Sequence, residues 1–256
     1  MPLSFLPSSP WLLFLACMAA LCVGLSKGGL PAIGSLAVPM LSLQLSPVTA
    51  AALLLPIYVL TDVVGVWLYR REYSPRNLKI LIPASLCGVT LGWATASYLS
   101  DAAIAFLIGA MGIGFCLNTW LRSQGSREPQ PGQVPAGLFW GALAGYTSFV
   151  SHSGAPPFQI YVLPQRLPKM VFAGTSTIVF AIVNAAKIVP YAELRPFSAA
   201  DVRTTMLLFP VAVIGTIVGA VLTHHIRDAL FFRLVQVALF AVSLKLIFDA
   251  TQSIWR

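Results

Sequence analysis

The chain has 256 residues, 57% of them hydrophobic and 9% charged, with a formal net charge of +8 and a mean hydropathy of +0.83. Soluble domains carry about a quarter charged residues, so the composition assigns this chain to the membrane class and excludes an ordinary soluble fold. The basic residues sit in short loops between apolar runs, with no basic stripe interleaved with aromatics. That pattern argues against a nucleic-acid partner and for anchoring at the cytoplasmic face of a lipid bilayer.

In chain order, the N-terminus has an apolar run without a basic segment before it, so a cleaved signal is not expected and residues 11 onward belong to the fold. Residues 11–44 contain SKGGLPAIG, which breaks what would otherwise be a helix into two short arms. A spanning helix needs about 20 mostly apolar residues. Segments 47–69, 78–98 and 102–121 meet that need, and residues 122–135, RSQGSREPQPGQVP, form a polar linker. A second broken segment follows at 136–163, around SHSGAPPF, and then three further spans at 169–191, 204–223 and 229–251. The expected fold class is an all-α polytopic membrane protein in two repeats, 1–121 and 136–256, joined by a cytoplasmic linker.

The repeats are legible as spaced residues. Arg76, Pro83, Gly88, Gly92, Asp101 and Ala102 recur as Arg203, Pro210, Gly215, Gly219, Asp228 and Ala229 at one constant offset. Gly29-Leu30-Pro31 with Pro39 recurs as Gly154-Ala155-Pro156 with Pro164. The G-x3-G pairs predict close helix–helix approach, and each Asp-Ala opens a helix where an acid suits the dipole. Cys17, Cys22, Cys87 and Cys116 lie in apolar runs without a CxxC pair and read as buried small hydrophobes.

Loop 70–79 carries Arg70, Arg71, Arg76 and Lys79 and is expected on the cytoplasmic side. A run of 34 residues at 1.5 Å each is about 51 Å long, too much for one crossing of a ~30 Å core. Arms of about 13 to 15 residues are too short to cross alone. Re-entrant hairpins meeting near the midplane are therefore favoured. Each half then has three true spans, the halves are inverted, and both termini lie outside. Single crossings remain an alternative that the count of basic residues does not resolve.

Backbone freed from a helix inside hydrocarbon must be satisfied by protein or water. Two inverted breaks bring helix starts, with free N–H groups, toward one cavity of positive potential, the usual geometry of a secondary-transporter site. The candidate binding residues are Ser26, Lys27, Gly28 and Gly29 at the first break, and His152, Ser153 and Gly154 at the second, with Thr175, Asn184 and Lys187 on the span at 169–191. A lysine at membrane depth is costly and reads as functional. Lys187 and Lys245 lie close enough to span ends to snorkel instead. His152 reads as an anion contact or proton carrier. His224-His225 and the tryptophans Trp67, Trp140 and Trp255 read as interfacial. Asp62, His152 and Asn184 support a second reading, a proton-coupled cation or metal carrier, and a non-transporting assembly subunit is the third.

Enzymatic signals are poor. HSGA around His152 has no acidic orienter nearby in sequence, and no Walker loop, HExxH or dinucleotide fingerprint is present. No catalytic residue, cofactor or resident metal is expected.

The stretch Gly24-Leu25-Ser26-Lys27-Gly28-Gly29-Leu30-Pro31 through Pro39, and its counterpart Gly145 through Pro164 followed by Ala173-Gly174-Thr175, Lys187 and Tyr191, resemble the sulfite exporter TauE/SafE family, also grouped around toluene-sulfonate uptake. The resemblance covers essentially the whole chain. It implies a multi-pass permease of the bacterial cytoplasmic (inner) membrane that moves small anions such as sulfite, sulfoacetate, sulfonates or thiosulfate. The expected partners are that anion, the bilayer and a coupling proton, with a homo-oligomer left open.

Overall fold

The computed structural model describes residues 10–45, 47–95, 101–121, 129–194 and 196–254. Most of the polar linker and the C-terminal Trp255 lie outside them. All regular structure among the described residues is helical: α1 (Pro10–Lys27), α2 (Pro31–Gly34), α3 (Ala37–Leu41), α4 (Pro47–Tyr69), α5 (Pro75–Thr95), α6 (Asp101–Leu121), α7 (Val134–Ser151), α8 (Ala155–Val162), α9 (Lys169–Leu194), α10 (Ala199–His225) and α11 (Asp228–Ile254). Among the described residues, six stretches are long and apolar enough to cross a membrane: Pro10–Lys27, Thr49–Tyr69, Pro75–Thr95, Lys169–Leu194, Ala199–His225 and Asp228–Gln252.

The arms before the breaks are longer than expected. α1 and α7 each have 18 residues, about 27 Å at 1.5 Å per residue, because nothing between Pro10 and Lys27, or between Val134 and Ser151, interrupts the helical run. The arms after the breaks are correspondingly short. α2 and α3 are two brief turns, and α8 spans eight residues.

The glycines predicted to allow close approach do so, and they fix helix directions. Leu21 lies against Gly215, Gly24 against Ala212 and Thr216, and Gly28 against Gly219. Contacts advance together along both helices, so α1 runs parallel to α10. In the same way Ala84 meets Gly141, Ser85 meets Gly145, Gly88 meets Ala142 and Tyr146, and Gly92 meets Phe149, so α7 runs parallel to α5. The broken helix of each half thus packs on a long helix of the other. A Cβ on Gly24 would strike the Ala212 carbonyl oxygen, one on Gly88 the Ala142 oxygen, and one on Gly145 the Ser85 oxygen.

Two further pairs run antiparallel. Asp62, Gly65 and Tyr69 of α4 face Asn184, Thr177 and Gly174 of α9. Gly109 and Gly112 of α6 face Ile247 and Ser243 of α11, and Cys116 lies on the Gln236 carbonyl. Small and hydroxyl residues fill these seams, while Ile214, Ile217, Val218 and Val221 of α10 point outward. That is the arrangement expected where lipid replaces water and packing drives association.

α10 opens with a capping box, Ser198 with Asp201. Its C-terminal end is held by Lys169, whose Nζ donates to the His224 carbonyl at 3.1 Å and to that of Ile226. Lys245 pairs with Asp249 one turn on along α11, at a partly exposed position.

Replacing Gly88 or Gly24 with leucine should push the parallel pairs apart and destabilise the fold by about 1–3 kcal/mol. Thermal unfolding of detergent-solubilised protein followed by size exclusion checks this; Gly114→Leu, at a position with open space around it, should be neutral.

Candidate functional site

The first break forms because Gly29 adopts φ +117°, a backbone conformation that suits glycine, and because Pro31 starts a new helix without an N–H. The carbonyls released at the end of α1 are not left bare. Tyr69 Oη donates to the Gly28 oxygen at 2.5 Å and Thr223 Oγ1 donates to it at 3.0 Å. Thr177 Oγ1 donates to the Lys27 oxygen at 3.3 Å. The second break closes on His152, which holds φ 53°. Its N–H reaches Ser148 O at 3.1 Å, and the Ser153 N–H reaches Thr147 O at 3.2 Å. Tyr191 Oη donates to the Phe149 oxygen at 2.6 Å.

These anchors set the depth of the breaks. Tyr69 is the last residue of α4 and Thr223 is close to the end of α10, so the first break lies toward those ends. The second lies toward the other end of α4, where His152 Nε2 sits 3.0 Å from the Ala51 carbonyl. The breaks are therefore offset, not level with one another as a shared midplane would require. Their side chains still reach a common space.

Lys27 Nζ lies 2.7 Å from Asp62 Oδ1, with both side chains about 5% exposed or less. Asn184 Nδ2 donates to Asp62 Oδ2 at 2.8 Å. The Lys27 ammonium also sits 5.0 Å from the centroid of the Tyr58 ring, within cation–π range. The other side of the site is organised by Lys187, which is fully buried. Its Nζ donates to Ser148 O at 3.0 Å and to Ser148 Oγ at 3.1 Å, and lies 2.6 Å from His152 Nδ1. Three partners match the three donors of an ammonium. With Nδ1 accepting from Lys187, the ring proton belongs on Nε2, which donates to Ala51 O. The Tyr58 ring touches both sides, its centroid 4.7 Å from that of His152.

A cavity of about 30 Å³ lies between the breaks, room for roughly two water molecules. Its lining includes Ser26 and Lys27 from the first break, His152 and Gly154 from the second, and Tyr58, Ser148 and Asn184 from the helices around them. Of the other sequence candidates, Lys187 reaches the site through His152 and Ser148 and does not snorkel. Gly28 and Gly29 serve packing against α10 and against Tyr69 and Thr223. Ser153 Oγ donates to the Ser151 carbonyl at 3.3 Å. Thr175 Oγ1 accepts from the Ser74 N–H at 2.9 Å and donates to Val171 O, which ties α9 to the loop before α5 and not to the cavity.

The expectation that helix starts would present free N–H groups to the cavity meets a chemical limit. Pro31 opens α2, and Pro156 and Pro157 follow Ala155 at the start of α8. Prolines carry no N–H. The positive potential comes from ammonium groups instead. The residue that sequence reasoning undervalued is Asp62, which it assigned only to a cation carrier. Its signal was the shared helix face with Tyr58, Gly65 and Tyr69, but no spacing rule pairs it with a lysine 35 positions earlier. The cation reading has no donor set here: Asp62 is neutralised by Lys27, both ring nitrogens of His152 are engaged, and no group of three or more His, Cys, Asp or Glu side chains occurs among the described residues.

Comparison of the chain with curated proteins and with solved structures returned no match. Residues 16–246 match the model of the family described as sulfite exporter TauE/SafE. That span takes in both breaks, the Lys27–Asp62 contact and the Lys187–His152 pair. With several helices built to cross a membrane, the chain belongs to the TauE/SafE family, whose members are multi-pass membrane transporters of sulfur-containing anions and not enzymes.

Proposed function

We propose that this chain is a permease of the bacterial cytoplasmic membrane that carries a small sulfur oxyanion or sulfonate by alternating access, coupled to protons, and that the anion binds between Lys27 and the Lys187–His152 pair. The observation that carries this reading is the charge of the cavity region. Two ammonium groups arrive from different parts of the chain at a buried space that holds one carboxylate. An isolated buried charge is expensive, so a net positive site with hydroxyl and amide donors around it is matched to an anion. Ser148 and Asn184 supply such donors, whereas the Ser26 hydroxyl is given to the Val23 carbonyl at 2.6 Å.

The proposed architecture is a pair of inverted halves with re-entrant hairpins. α10 follows α9 through a short loop and so opposes it, while α9 opposes α4; α1, parallel to α10, therefore runs the same way as α4. A chain that runs twice in one direction must return between, and α2 with α3 is that return. The same argument makes α8 the return between α7 and α9. Side chains support a two-fold relation as well. Asp62 and Asn184, which bond each other, are 122 residues apart, and the same separation relates Tyr69 to Tyr191 and Gly65 to Lys187. Both tyrosines hold a carbonyl freed at a break.

Lys27→Ala should reduce flux of the transported anion to background in proteoliposomes offered a panel of sulfur oxyanions, sulfonates and carboxylates. That change leaves Asp62 buried without its cation, at a cost of about 3–5 kcal/mol. The double variant Lys27→Ala/Asp62→Ala removes the orphan charge, and flux should still be lost; normal flux there would discard the anion site. For the topology, in a cysteine-free background, Lys79→Cys should react with an impermeant thiol reagent from the cytoplasm and Glu193→Cys from outside. Both reacting from the cytoplasm would favour single crossings.

A further inference from the structure

We propose that Asp62 is the internal anion of the transport site: it occupies Lys27 when the site is empty, and it takes up one proton when the transported anion replaces it. The inference rests on the anion-permease reading above and adds the residue that couples the anion to the proton.

The argument begins with competition for one cation. Lys27 Nζ is 2.7 Å from Asp62 Oδ1, and both are sealed from solvent. An anion cannot take Lys27 while an ionised Asp62 holds it, because two negative charges would then compete for one ammonium in a sealed volume, the other, Lys187, being held by Ser148 and His152. Either Asp62 withdraws or its charge is cancelled. Withdrawal is opposed by Asn184, which holds Oδ2 at 2.8 Å from a neighbouring helix. Cancellation needs only a proton, and the geometry accommodates one. Oδ1 is held 2.7 Å from the Lys27 ammonium, the contact that a proton on the carboxyl would weaken. Once protonated, the carboxyl is neutral and becomes a donor, and Lys27, which lines the cavity, is left to the incoming anion.

No other group facing Asp62 can play this part. From α1 it meets Lys27, and from α9 it meets Asn184, with Lys187 one turn further along. His152, at the end of α7, is bonded to Lys187 and Ala51 O, and Tyr58 on α4 donates its hydroxyl to the Gly34 carbonyl at 2.8 Å. α3 has no titratable side chain, and those of α10 (Asp201, Arg203, His224 and His225) lie at its ends. Asp62 is thus the carboxylate of this set that lies within a helix and beside Lys27, Asp201 being at the start of α10. Its partner at the equivalent position, Asn184, cannot take a proton, which sets the count at one.

The balance is simple. The empty site holds Lys27 as ammonium and Asp62 as carboxylate. The loaded site holds Lys27 as ammonium, the substrate as anion and Asp62 as neutral acid. For a monovalent anion the two states carry the same charge, so the anion and the proton move together without moving net charge.

The test uses methanesulfonate, a small monoanion that does not buffer near neutrality, with the full chain in proteoliposomes. In the wild type, a pH gradient of one unit, inside alkaline, should accumulate it about tenfold, and a potassium–valinomycin voltage should have no effect. In Asp62→Asn the pH gradient should accumulate nothing and the voltage should now drive uptake. Asp62→Asn still accumulating about tenfold on the pH gradient would overturn the proposal while leaving the permease reading intact. If Asp62→Asn fails to reconstitute, the wild type decides: one proton entering per sulfonate supports the proposal, and voltage-driven uptake without proton entry overturns it. No wild-type flux of methanesulfonate or of any anion in the panel sinks the permease reading, and this inference with it.

Discussion

A helix broken inside a bilayer leaves carbonyls and N–H groups that no solvent can satisfy, and the rest of this structure is arranged to meet that demand. At the first break the work falls to Tyr69, Thr223 and Thr177, contributed by α4, α10 and α9. At the second it falls to Tyr191 of α9 and to the left-handed turn at His152. Each donor comes from a helix that must lie close to the break, which explains why small residues dominate the surrounding seams. Gly24, Gly28, Gly215 and Gly219 let α1 and α10 touch at the backbone, bringing Thr223 within reach of Gly28. The packing of the helices and the chemistry of the breaks are one requirement seen at two scales.

Satisfying the backbone also fixes the charges. Once α1 ends against Tyr69 and Thr223, Lys27 has one direction open to it, toward α4 and the Tyr58 ring. Once α7 ends on His152, the Ser148 carbonyl and hydroxyl face α9, where Lys187 completes its three contacts. A buried ion pair contributes little net stability compared with an apolar pair of similar volume. Its presence here is better explained by what it allows. In the proposed mechanism a proton or a competing anion opens this pair, and burial would make its two states discrete.

Membership of the TauE/SafE family and the local geometry bear on function from different directions. The family match supplies the class of cargo. The geometry supplies a cavity, two lysines and one acid in contact with one of them. Lys187 and Asp62 sit on antiparallel helices, and under the proposed two-fold relation the positions that match them are Gly65 and Asn184. The two halves therefore contribute unequally: one places its lysine at the break, the other on the long helix behind it. That inequality puts a single acid at the seam between α4 and α9.

Much of the architecture was legible in the residues themselves. Apolar length marks spanning helices, Gly and Pro mark breaks, and the G-x3-G pairs mark close approach, because each is a local property of chain geometry or transfer free energy. The lengths of the arms were less legible, since a helix runs on until something stops it and the only stops were at the breaks. Lys27, His152 and Asn184 stood out as polar residues in apolar runs, and they do border one cavity. Gly28, Gly29 and Thr175 stood out equally, yet they are engaged in packing and in bonding to a loop. What only the tertiary structure decided was pairing: that Lys27 meets Asp62, that Lys187 meets His152, and that the breaks are offset along α4. Spacing along a helix records which residues share a face. It carries no information on which other helix that face will meet, because that depends on the shapes of every seam at once.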